Sequence, residues 1–272
     1  MCGRYATTRS SADLSAEFEA EPADDLPDLR PDYNVAPTKV VPLILERRSR
    51  EDPAVSHRLV KALTWGLVPS WAKDRAIGNR MINARAETLA EKPSFRSAFA
   101  KRRAIVPADG FYEWYTSEKA ETPAPGGKKA GSKSKPVKQP FFIHSPDGST
   151  LAMAGLYEIW KDRSLPEDDD AAWLWTFTII TTTATDDLGR IHDRAPMLVP
   201  RDRWSTWLDP ANDDKEALGR LLVPAAPGAL EAYPVSTTVN NVRNNGPELM
   251  EPIALEGEPD AGDGAQPTLG DL

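Results

Sequence analysis

Runs of strand-forming residues recur along almost the whole chain, and this limits its fold more than any other feature. Val, Leu and Ile fill Lys39–Glu46. Further β-prone runs cover Leu59–Leu67, Arg102–Pro107, Phe111–Tyr115, Pro140–His144, Leu151–Trp160 and Trp173–Thr183. Helical signals are short. Ser11–Ala20 places Leu14 and Phe18 four apart on one side, and Ser94 is a cap for a short helix holding Phe95 and Phe99. Two more helices are expected late, over Arg201–Leu208 and Asp213–Leu222. The strands are interleaved with these helices, with no internal repeat and no domain boundary. That pattern predicts a single α+β domain on a curved, mainly antiparallel β-sheet with peripheral helices.

Two segments break the pattern. Residues 117–138 hold six lysines against two glutamates among Gly, Pro, Ala and Ser, which reads as a flexible insertion between two strands. The end of the chain is acidic and carries Gly and Pro, so the folded domain is expected over 1–252 and a disordered tail over 253–272. At 272 residues, with 40% hydrophobic and 27% charged residues, the composition suits one soluble globular domain. The net charge of −8 argues against a nucleic-acid partner only at first sight, because six of the acids lie between Glu251 and Leu272. Elsewhere Arg96, Lys101, Arg102 and Arg103 cluster, which leaves a basic face open as an expectation.

Cys2 is the only cysteine. No intramolecular disulfide can form, and a cysteine-based zinc site is excluded. The three histidines, His57, His144 and His192, lack metal-ligand spacing, so neither metal nor cofactor is expected. The first residues contain no signal-peptide pattern and no apolar run long enough to cross a membrane, which gives a cytoplasmic expectation. Loss of Met1 would make Cys2 the N-terminus, with an α-amine and a thiol two carbons apart. That 1,2-aminothiol condenses with an aldehyde to an imine, which the sulfur closes into a thiazolidine. An α-amine titrates near pH 8, so much of it is already neutral and nucleophilic at physiological pH. The competing reading is a buried cysteine acting as a small hydrophobe.

Several polar positions stand out. Trp71 is either core or a stacking platform. In Met81–Thr88 two apolar residues lead into Asn83, Arg85 and Glu87, as at a strand end presenting polar side chains. Glu113 is one acid among four aromatics in Phe111–Tyr115, either facing solvent or held in an apolar cleft with a raised pKa, as general acids are. His192, between Ile191 and Asp193-Arg194, falls on a loop or at the start of a strand.

Seven segments, in order, carry a resemblance: Met1-Cys-Gly-Arg-Tyr5, Tyr33-Asn-Val-Ala-Pro-Thr38, Trp65-Gly-Leu-Val-Pro69, Ile82-Asn-Ala-Arg-Ala-Glu-Thr88, Pro107-Ala-Asp-Gly-Phe-Tyr-Glu-Trp114, Ile191-His-Asp-Arg194 and Val239-Asn-Asn-Val242. Up to about residue 252 the chain resembles the SOS response-associated peptidase (SRAP) family of abasic-site processing proteins. The resemblance implies the family's barrel-like fold and covalent capture of abasic sites in single-stranded DNA. It also implies catalytic roles for Cys2, Asn83, Glu113 and His192. Asn83 would position the N-terminus and the opened sugar, Glu113 would shuttle protons, and His192 would assist ring opening. DNA contacts are implied for Arg4, Trp71, Arg85, Trp114 and Arg194. The implied partner is single-stranded DNA with abasic sites, and a link to the replication machinery is an expectation to test. Two other readings remain: a thiol peptidase using Cys2 and His192 that removes its own Met1, and a non-covalent single-strand-binding module.

Overall fold

The computed structural model describes residues 2–49, 51–52, 54–117, 137–166, 168–185 and 188–254. The chain begins with β1 (Tyr5–Thr7), helix α1 (Ser11–Phe18), β2 (Glu21–Pro22) and β3 (Asp32–Val35). A long hairpin follows, β4 (Val40–Arg48) and β5 (Ser56–Trp65), and then the short β6 (Asn83–Arg85). Helix α2 (Arg96–Lys101) leads into β7 (Arg103–Ala108), β8 (Gly110–Ser117), β9 (Val137–His144), β10 (Leu151–Lys161) and β11 (Trp173–Thr183). Helix α3 (Leu188–Ile191), β12 (Arg194–Pro196), helices α4 (Trp204–Leu208) and α5 (Lys215–Gly219), and β13 (Glu231–Pro234) complete it.

Five strands close into a barrel. β11, β10, β7, β4 and β5 are successive antiparallel neighbours, and β5 returns to β11 in parallel, with Thr64 opposite Thr176 and Trp65 opposite Phe177. Closure removes the exposed edges an open sheet would present. Strand alternation fills the interior: Val41, Leu43 and Leu45 of β4 share one core with Leu63, Trp65, Val106, Met153 and Phe177, whereas Ile44 points outward to the helical layer. A second sheet, ordered β13-β9-β8-β1-β3 and antiparallel throughout, lays Tyr5, Phe111, Phe141 and Ile143 onto the barrel core. Its other face packs Ala6, Tyr112 and Phe142 against Val235, Val239 and Leu249.

The helices cover the outside. Helix α1 starts on a capping box, with the Asp13 N–H donating to Ser10 Oγ and the Ser10 N–H donating to Asp13 Oδ2. It ends at Phe18 because Glu19 turns left-handed at φ 52°, short of the expected Ala20. Leu14 and Phe18 are buried as the spacing predicts, and Phe18 stacks on Trp204 at 4.3 Å. Phe95, and not Ser94, occupies the N-cap position of α2, without a side-chain cap. The helix expected over Asp213–Leu222 is confined to Lys215–Gly219, capped by Asp214. In Arg201–Leu208 only the second part is α-helical.

The basic cluster does not form a face. Arg103 is buried and donates to the carbonyls of Phe99, Ala100, Trp207, Asp209 and Asn212, and Arg102 pairs with Glu158 at 2.8 Å. The Lys-rich insertion does join two strands, since β8 and β9 pair out to Ser117 opposite Val137. Residues 118–136, and the tail from 255, lie outside the described residues. Among the described residues no helix is long and apolar enough to cross a membrane.

Candidate active site

The N-terminal segment is held between the barrel and the second sheet. β1 pairs with β8 through Tyr5 opposite Phe111, and the Tyr112 N–H donates to the Arg4 carbonyl at 2.9 Å. Continued two residues, that register sets Gly3 opposite Glu113 and brings Cys2 alongside the same stretch. Cys2 is fully buried in the barrel core, and its Sγ lies 3.9 Å from the Arg4 carbonyl. Burial, reinforced by the charge of Glu113, pushes the thiol pKa far up. The sulfur is therefore a thiol and not a thiolate at neutral pH.

Asn83 reaches Cys2 from the barrel. β6 runs parallel to β11 with Asn83 opposite Ile179, and the Trp65 indole N–H donates to the Ile82 carbonyl at 2.9 Å. The path from β5 to β6 depends on two glycines in contact. Gly66 has φ 123°, and a Cβ there would lie 2.7 Å from the Gly78 carbonyl oxygen. The Asn83 amide nitrogen donates to the Cys2 carbonyl at 2.7 Å, whereas Asn83 Oδ1 is buried with no hydrogen-bond partner. An acceptor is thus aimed into the site next to the residue that would carry the free amine.

Glu113 shares the inward face of β8 with Phe111, and Tyr112 and Trp114 face the other way. It is 4% exposed. Burial pushes its carboxyl up to about 7, and the Asp193 carboxylate acts in the same direction. The sequence thus picks out an acid in an apolar cleft, the second of its two readings. Helix α3 packs on β8 and delivers His192 at its end, where the His192 N–H donates to the Leu188 carbonyl at 3.1 Å. Two groups compete for His192 Nδ1 at 3.0 Å, the Arg194 backbone N–H and the Asp193 carboxylate. Burial lowers the imidazole pKa, and Nδ1 accepts from the Arg194 backbone N–H.

The remaining residues divide. Arg4 is half-buried. Its Nη1 donates to Asn34 Oδ1 at 2.6 Å and to the Val239 carbonyl at 2.8 Å, and its guanidinium lies 5.7 Å from the Trp114 ring centre. The Trp114 indole N–H donates to Asn240 Oδ1 at 2.7 Å. Arg85 is exposed at the end of β6, opposite Thr181. Arg194, opposite Thr183, is bound through both terminal nitrogens to the Glu87 carboxylate. Its charge is already matched. Trp71, on the segment after β5, is 57% exposed, which rules out its core reading. Asn34, Asn240 and Glu87 lie within segments that the sequence singles out, but they are given no role there. A polar Asn34 between Tyr33 and Val35 at a strand end is the one signal that could have marked it. Among the described residues no His, Cys, Asp and Glu grouping could hold a metal ion.

The family model described as SOS response associated peptidase (SRAP) matches residues 1–242. The Bacillus subtilis (strain 168) abasic site processing protein YoqW is 40% identical over 251 residues, covering 92% of this chain and 99% of the relative. Abasic site processing protein HMCES of Gallus gallus is 32% identical over 288 residues, covering 94% of this chain and 79% of that protein. A Bacteroides thetaiotaomicron protein of known crystal structure superposes with a TM-score of 0.73, covering 93% of this chain and 100% of its own. At 24% identity that likeness supports the fold alone.

Proposed function

Because the chain belongs to the SOS response-associated peptidase family, we propose that it processes abasic sites in single-stranded DNA by capturing the opened sugar on Cys2. One observation carries this reading. Cys2 is buried beside an acid poised near pH 7 and is fixed through its carbonyl by an amide that keeps a second, unpartnered oxygen.

Once Met1 is removed, the Cys2 α-amine attacks the sugar aldehyde and gives a carbinolamine. Protonated Glu113 donates to the departing hydroxyl, water leaves, and an iminium, the protonated imine, remains. The thiol then adds to the iminium carbon, its proton passes to the Glu113 carboxylate, and the ring nitrogen keeps the proton it already carries. Overall, aldehyde and aminothiol give a thiazolidine and water. The raised thiol pKa sets the order, because an un-ionised sulfur leaves the amine as the first nucleophile. Asn83 Oδ1 can accept from the freed amine or from a sugar hydroxyl. The imine also permits β-elimination, which would give strand cleavage as a side activity. A general thiol peptidase needs an accessible thiolate, and the burial of Cys2 speaks against one, leaving removal of Met1 as the single peptide cleavage of that reading.

Intact-mass analysis tests the proposal with protein incubated with a single strand bearing one abasic site. Loss of Met1 and a heat-stable adduct, absent in Cys2→Ala, are expected. Protein that keeps Met1, or processed protein that forms no adduct, refutes it.

A further inference from the structure

Asn34 joins three parts of the chain that are distant in sequence: its side chain hydrogen-bonds both Arg4 and the 239–244 loop. It is fully buried. Its Oδ1 accepts from Arg4 Nη1 at 2.6 Å. Its Nδ2 donates to the carbonyls of Asn244 at 3.0 Å, Asn241 at 3.1 Å and Val239 at 3.3 Å. Two amide hydrogens thus serve three acceptors, with the longest contact shared. The orientation of the amide is fixed, since Arg4 needs an acceptor and the carbonyls need donors. The loop held in this way carries Asn240, which holds the Trp114 indole against which Arg4 lies.

The charges around this joint are consistent. Asp32, the acid whose charge acts on Arg4, is bound by Lys39 at 2.7 Å, and its other oxygen accepts the Asn34 backbone N–H at 2.9 Å. Among the described residues Arg4 makes no ion pair. Its hydrogen-bond partners are a neutral amide oxygen and a backbone carbonyl, and its Nε is buried without a partner. Arg194 shows the alternative, a guanidinium neutralised by Glu87. An aspartate at position 34 would be nearly isosteric and would do the same to Arg4.

We infer that Asn34 is a positioning residue that aims the Arg4 guanidinium while leaving its charge free for a backbone phosphate of the bound strand. The inference rests on the single-strand reading proposed above. A phosphate bound by Arg4 displaces about one counterion. Loss of that contact should therefore lower the slope of log affinity against log salt by about 0.7, which is about a fivefold loss at 0.1 M relative to 1 M salt.

The test measures anisotropy of a labelled, intact 15-nucleotide strand between 0.05 and 0.3 M salt, with folding of each variant checked by circular dichroism. Arg4→Met is expected to lower the slope by about 0.7, Asn34→Asp to lower it equally, and the double variant to lower it no further. Asn34→Ala removes the same hydrogen bonds without adding a charge, so it is expected to weaken binding with the slope unchanged. A merely structural Asn34 predicts the same slope for Asp and Ala, and that result overturns the inference. If Asn34→Asp does not fold, Asn34→Ala decides: a slope lowered as in Arg4→Met overturns the inference, and an unchanged slope with weaker binding supports it. Wild-type protein that does not bind the strand would count against the single-strand reading itself, and an unchanged slope in Arg4→Met would count against the Arg4 contact.

Discussion

Replacing Glu113 by Gln should make the protein more stable and less active, and the pH dependence of the stability gain follows from where Glu113 sits. An ordinary glutamate has a pKa of 4.5, and burial lifts this one to about 7. Below pH 4.5 the carboxyl is protonated in the folded and the unfolded chain, so it adds no pH dependence. Between pH 4.5 and 7 the unfolded chain gives up the proton while the folded chain keeps it, and stability falls as pH rises. Above pH 7 the loss is complete and amounts to about 3 kcal/mol, at 1.36 kcal/mol for each pH unit separating the two values. Glutamine has nearly the same shape and cannot ionise. Glu113→Gln should therefore match wild type near pH 4 and exceed it by about 3 kcal/mol near pH 8, read from urea-unfolding midpoints across that range. In the same variant, adduct formation on an abasic strand should slow by about 10²–10⁴-fold, the usual contribution of a placed acid–base group. A stability difference that is the same at pH 4 and pH 8 would refute the reasoning, because the carboxyl would then ionise as it does in solvent.

Three further outcomes follow from the site. Glu87→Gln removes the carboxylate that neutralises Arg194 and should steepen the salt dependence of single-strand binding by about 0.7, with a stability loss of no more than about 1 kcal/mol because the pair is partly exposed. Gly66→Ala combines a left-handed φ with a Cβ 2.7 Å from the Gly78 oxygen, so it should lower stability by about 1–3 kcal/mol and slow adduct formation by shifting Asn83; thermal unfolding and gel-shifted adduct report the two effects. The Cys2 thiol, buried and held un-ionised, should react with iodoacetamide at pH 8 at least about 100-fold more slowly in the folded protein than in urea, followed by mass.

Much of the fold is legible because strand patterning is local. Alternation in β4 sends Val41, Leu43 and Leu45 one way and Ile44 the other, and that is visible in the residues themselves. Barrel closure is not. It depends on Thr64 and Trp65 meeting Thr176 and Phe177 in parallel, across more than a hundred residues and with no turn between them to signal the pairing. The late helices are overestimated for a related reason: Asp214 starts a helix that its local pattern would extend, but only Lys215–Gly219 is helical.

At the site, residue types reveal the chemistry, but neighbours decide what each charge can do. Glu113 is recognisable because an acid among aromatics must either escape to solvent or hold its proton. Arg103 misleads because sequence shows its sign and not its partners: it follows exposed Lys101 and half-buried Arg102, yet the start of β7 turns it inward onto five carbonyls. Arg4 and Arg194 stand in equally suggestive motifs, and only the fold distinguishes them. One faces an amide and a carbonyl, and the other faces a carboxylate supplied by the strand end that also carries Asn83 and Arg85. A phosphate approaching Arg194 must compete with Glu87, whereas one approaching Arg4 competes with no acid. On the proposed reading, the attraction of this site for a strand is set as much by a neutral asparagine at position 34 as by the number of arginines around it.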